Sequence, residues 1–83
     1  MESVGEIKKS LAIAIQRLDM QFNDIDKTSK DIYEEFQNSS LDTIRESIRK
    51  GSLGYYGRTF KLSTQEVCIW INQNIVSKRQ KMI

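Results

Sequence analysis

Eight basic side chains, Arg45, Arg49, Lys50, Arg58, Lys61, Lys78, Arg79 and Lys81, follow Ser39 against only Asp42, Glu46 and Glu66, a local net charge of +5. Lysine and arginine are the side chains that neutralise phosphate, so this half has the composition of a polyanion-binding segment. The first 39 residues are the reverse, with Lys8, Lys9, Arg17, Lys27 and Lys30 against eight acids, a local net charge of −3. Little else is equipped for chemistry. There is no His, and Cys68 is the sole thiol, which excludes an intrachain disulfide, the common zinc sites and imidazole acid–base catalysis. Glu34 and Glu35 are neighbours, and on a helix adjacent side chains diverge by about 100°, so they read as a solvated face. Gly51-Ser52-Leu53-Gly54 lacks the Gly-Lys-Ser/Thr ending of a phosphate loop. No nucleophile can be matched with a base, and the expectation is a non-enzymatic protein without metal or cofactor.

The elements that must position these residues are helical. The chain has 83 residues, 39% apolar and 29% charged, with four Gly and no Pro, which suits one small all-α domain. Hydroxyl and carboxylate residues three apart mark helix starts at Ser3 with Glu6, Thr28 with Asp31, Ser39 with Asp42 and Ser63 with Glu66. A long amphipathic helix is expected to run to about Phe22, with Val4, Ile7, Leu11, Ala14 and Leu18 in its stripe. A short helix follows around Ile32, Tyr33 and Phe36. The third places Leu41, Ile44 and Ile48 inward and stops at Gly51 behind Arg49 and Lys50. The last starts at Ser63, with Val67, Trp70, Ile71 and Ile75 inward. The organisation predicted is a single domain over 1–83, a bundle of about four helices, with an assembly segment over 1–38 and a basic segment over 39–83.

Residues 56–73 read YGRTFKLSTQEVCIWINQ. Tyr56 and Phe60 would be the inward residues of a short helix and Gly57 the small one where helices cross. Leu62 would plug a turn, Ser63 cap the next helix, and Val67 and Trp70 face inward from it. On these residues the segment resembles the helix-turn-helix proteins of phage and mobile elements, departing from them at Lys61, where a turn Gly is usual. The resemblance covers about a quarter of the chain. It implies a C-terminal helix-turn-helix-like tri-helical unit and a small DNA-binding accessory protein of regulation or replication. The positions it implies for DNA contact are Thr64, Gln65, Cys68, Ile69 and Asn72. Of these, Gln65 and Asn72 suit adenine edges and Thr64 a phosphate or base, with Arg45, Arg49, Lys50, Arg58 and Lys61 clamping the backbone.

Ile69, Val76 and Ile83 recur every seven residues opposite Val67, a second stripe that favours packing over groove reading and offers another protein a docking edge. The alternative function is therefore a helical adaptor or inhibitor that binds a protein partner. Cys68, Tyr55, Tyr56 and Trp70 read as core residues. The first helix offers more apolar surface than the short helices after it can cover, so a homodimer is expected through Val4, Ile7, Leu11 and Leu18. The longest apolar run, Leu11 to Ile15, is far below the roughly 20 residues of a membrane span. The start of the chain lacks the basic and apolar regions of a signal peptide, so a cytoplasmic location, the host's if phage-encoded, is expected.

Overall fold

A computed structural model describes residues 2–81. Its first helix, α1 (Glu2–Leu18), ends four residues earlier than the apolar stripe suggests. The reason is a double closure of the last turn: Met20 N donates to Ile15 O at 3.2 Å and Asp19 N to Gln16 O at 3.2 Å. Asp19 takes the left-handed conformation this requires, with φ 54°. Helix α2 (Ile25–Glu35) is capped by Asp24, whose carboxylate accepts from Lys27 N at 3.2 Å, four residues before the expected cap at Thr28. Aspartate caps as well as a hydroxyl does. Thr28, freed from capping, is buried inside the helix and shares a hydrogen bond of 2.7 Å with Thr64.

Helix α3 (Leu41–Ser52) is capped by Ser40, whose Oγ accepts from Thr43 N at 3.1 Å, one residue after the expected cap at Ser39. Its stop is Gly54 and not Gly51. Tyr55 N donates to Lys50 O at 3.0 Å and Gly54 N to Gly51 O at 3.1 Å, with Gly54 at φ +90°. Helix α4 (Thr64–Lys81) begins where expected, with Ser63 Oγ accepting from Glu66 N at 3.2 Å. Among the described residues there is no strand, and no helix is long and apolar enough to cross a membrane.

Side-chain pairs between elements give the topology. Lys8 meets Asp26 while Ser3 lies beside Tyr33 and Phe36, so α1 and α2 are antiparallel. Glu6 meets Arg45 and Arg17 meets Ser52, so α1 and α3 run the same way. Asn74 meets Ser47 and Lys78 meets Thr43, so α3 and α4 are antiparallel. The helices form a ring in which α1 touches α2 and α3, α4 touches α3 and α2, and α1 and α4 stand diagonally apart. One core fills the centre, built from Ile7, Leu11 and Ala14 of α1, Ile32 of α2, Ile44 and Ile48 of α3, and Val67, Trp70 and Ile71 of α4.

This closure corrects two expectations. Ile7 and Leu11 are enclosed by their own chain, with Val4 and Leu18 half-buried, so the two central residues of the expected dimer interface are used up within one protomer. Burial by α2 and α3 together covers the stripe that a count of apolar side chains left open. The short helix expected at Tyr56 to Phe60 is also not formed. Residues 53–63 are a turn followed by irregular chain, and Phe60 is 82% exposed. Gly54 and Gly57, at φ +90° and +107°, hold a path that no right-handed helix follows. The small residue at the helix crossing is Gly51, which lies against the indole of Trp70, and not Gly57, which has open space around it.

Candidate nucleic-acid interface

The directions of the helices bring the C-terminal ends of α1 and α3 and the N-terminal ends of α2 and α4 to one end of the bundle, with the 53–63 loop across it. Arg49, Lys50, Arg58, Lys61, Thr64 and Gln65 gather at or near this end. Arg45 lies one turn back along α3, and Asn72 two turns along α4. Arg45 and Arg49 open onto a groove of about 470 Å³ between α1 and α3. Gln65 and Asn72 face outward from α4, which does not touch α1. The expected contact set is therefore divided between two faces that meet only at the loop.

Arg17 joins the first of these faces. It lines the α1–α3 groove with Arg45 and Arg49, and it also lines an adjoining cleft of about 410 Å³ with Arg58, under the loop. Its Nη1 donates to Ser52 Oγ at 2.6 Å, and Ser52 Oγ donates to Arg49 O at 2.9 Å, so the guanidinium is seated on the last turn of α3. Cations suit that position, where unsatisfied carbonyls leave partial negative charge. Among the described residues Arg17, Arg49, Arg58 and Lys61 form no ion pair, while Arg45 lies 3.8 Å from Glu6. Arg49, Arg17 and Arg58 are thus unpaired among the described residues, although Asp42 and Glu46 line the same groove as Arg17, Arg45 and Arg49. Sequence reading missed Arg17 because it belongs to the acidic half by position in the chain.

Two of the acids at this end are already engaged. Asp24 caps α2, and Asp26 is paired with Lys8 at 2.6 Å, a contact that holds its carboxyl below the usual value. On the α3–α4 side, Lys50 and Lys78 lie 3.7 Å and 2.9 Å from Glu46. Glu46 also accepts from Asn74 Nδ2 at 3.0 Å, and the Asn74 and Lys78 hydrogen bonds carry its pKa from 4.5 to about 2. Lys50 is accordingly tied to its own chain more than the expected clamp role requires, and Thr64 is held by Thr28.

The outer face of α4 has a different character. Gln65, Ile69, Asn72, Gln73 and Val76 carry no charge, and Ile69 and Val76 are 41% and 49% exposed. Both stand free of the core, whereas the second stripe suggested burial on two sides; Ile83 lies outside the described residues. Cys68 is half-buried beside α2, where burial, then the charges of Glu35 and Asp31, push its thiol up and keep it protonated. No cluster of three metal-binding side chains occurs among the described residues. No family model matches the chain, and neither a curated protein nor a solved structure does.

Proposed function

We propose that the chain is a small non-enzymatic DNA-binding accessory protein that meets duplex DNA with the loop end of the bundle. The observation that supports this is the set of exposed arginines Arg49, Arg17 and Arg58, which form no ion pair among the described residues and lie at the end of the bundle where the loop carries Lys61 and leads to the exposed Gln65. Guanidinium groups match phosphate oxygens bidentately, so such a set supplies the sequence-independent part of DNA affinity. Gln65, on the first turn of α4, is the residue best placed to reach a base edge beside it. The test is fluorescence anisotropy on random-sequence duplex at several salt concentrations. Arg58→Ala/Lys61→Ala should flatten the log-affinity against log-salt slope by about 1.8, from roughly 0.9 per phosphate contact. Retention that ignores both salt and these substitutions overturns the reading.

A second reading has its own support: the uncharged outer face of α4, with Ile69 and Val76 exposed, suits another protein better than a phosphate backbone. In that reading the chain is a helical adaptor or inhibitor, and Ile69→Asp/Val76→Asp abolishes capture of the partner while leaving DNA retention intact.

A further inference from the structure

The 53–63 loop points some of its side chains into the bundle and others to solvent. Tyr56 packs partly into the core and Leu62 is buried in it, whereas Tyr55 and Phe60 stand outside it, 65% and 82% exposed. Each exposed ring carries a cation. Lys50 Nζ lies 5.9 Å from the centre of Tyr55, and Arg58 Cζ lies 5.4 Å from the centre of Phe60. The Tyr55 ring is held there by the closure at Gly54, which fixes the backbone of residue 55 against Lys50. Anchoring the loop needs only the inward residues. A phenylalanine left in water forgoes the gain that burial would bring, and two such rings on one short loop are surface to be covered by a ligand.

We infer that this loop is a stacking platform for unpaired nucleotides, so that the site takes single-stranded nucleic acid as well as, and more tightly than, duplex. The inference rests on the reading that this end of the bundle binds nucleic acid. It commits to a strand because each exposed ring is paired with a cation, Tyr55 with Lys50 and Phe60 with Arg58. A single strand offers the matching pair at every nucleotide, a base with two π-faces and a phosphate. In a duplex the base faces are already covered by stacking, and the rings would find only edges. Arg58 serves both features, since its guanidinium can stay over Phe60 while its N–H edge meets a phosphate oxygen.

The experiment compares the intact chain with Tyr55→Ala/Phe60→Ala by anisotropy on labelled oligothymidylate, oligouridylate and random duplex, with oligomers of roughly 15 nucleotides. Loss of one stacked base should weaken single-strand binding roughly tenfold for each ring removed, and leave duplex binding within about twofold. Phe60→Trp, which keeps a π-face, should restore or exceed the original single-strand affinity. Because both rings are exposed, the variants should keep the thermal midpoint of the parent. Equal losses on single strand and duplex, or no loss on either, overturn the stacking platform while leaving duplex binding standing. Failure of the intact chain to bind any of the three polymers overturns both readings.

Discussion

The α-carbon of Gly51 rests on the indole of Trp70, so that a β-carbon there would overlap Cδ2, Cε3 and Cε2 of the ring. The ring cannot move aside, because Trp70 is itself enclosed at 1% exposure. Two effects of Gly51→Ala then oppose each other. Alanine gains about 1 kcal/mol over glycine in a helix interior, while forcing atoms into a filled core costs about 1–3 kcal/mol. The overlap at Gly51 is with a buried ring and not a flexible tip, so the second effect should win, with a net loss of up to about 2 kcal/mol in urea unfolding. Gly5→Ala in α1 is the control. A β-carbon there meets nothing within 4 Å, and that variant should gain up to about 1 kcal/mol. Equal responses at the two positions would show that Trp70 does not seat against α3.

That contact marks how far the sequence could be read. The stripes of α1, α3 and α4 were legible, since Ile7, Leu11, Ile48, Val67 and Trp70 recur at helical spacing and all five are buried. The loop was not, because Tyr56 and Phe60 stand four apart and imitate a helix face. Only the left-handed glycines at 54 and 57 break that face, and a glycine does not announce the sign of its φ. Thr28 misled for a related reason: a hydroxyl that suits a cap also suits a buried link to Thr64. The candidate site was half legible. Arg58 and Lys61 were named from their charge and Gln65 from the helix-turn-helix resemblance, but Arg17 reaches them only through the parallel run of α1 and α3, which a running charge count does not see.

Leu11→Asp should unfold the chain and not dissociate it. Leu11 is 1% exposed within a single protomer, and an isolated carboxylate in an apolar core is among the costliest substitutions known. Ile13, on the opposite face of α1 and 53% exposed, should accept Asp with a change of no more than about 0.5 kcal/mol. Far-ultraviolet circular dichroism of the two variants decides the matter. A helical Leu11→Asp protein of halved mass would restore the assembly role of α1.

Acid should weaken the seam between α3 and α4 through Glu46. Its folded pKa is depressed, from 4.5 to about 2, by the hydrogen bonds from Asn74 and Lys78. The stabilisation is therefore fully present above pH 4.5 and is lost as the pH falls toward 2. The Glu46 side chain is 40% exposed, so screening by water limits the effect to about 1 kcal/mol. Glu46→Gln keeps an acceptor for Asn74 but cannot titrate, and its thermal midpoint should fall less between pH 7 and pH 3 than that of the parent. Parallel pH profiles would show that the seam is not linked to this carboxyl.

Arg17 tests whether the arginines act as one surface. By position in the chain it belongs to the acidic half, and its bond to Ser52 at 2.6 Å gives it a structural task at the end of α3. A purely structural arginine and a phosphate-binding one make different predictions when the two partners are changed separately. Ser52→Ala removes the hydrogen bond and keeps the charge, so it should lower stability by about 1 kcal/mol and leave the salt slope of DNA binding unchanged. Arg17→Gln removes the charge, so it should flatten that slope by about 0.9, the share of one phosphate contact. Lys9→Gln provides the baseline, since Lys9 is exposed on α1 and already faces Glu6 at 3.4 Å; it should leave the slope as it is. If Arg17→Gln behaves like Lys9→Gln, the guanidinium serves only the helix end, and the surface that meets DNA shrinks to Arg58, Lys61 and the first turn of α4.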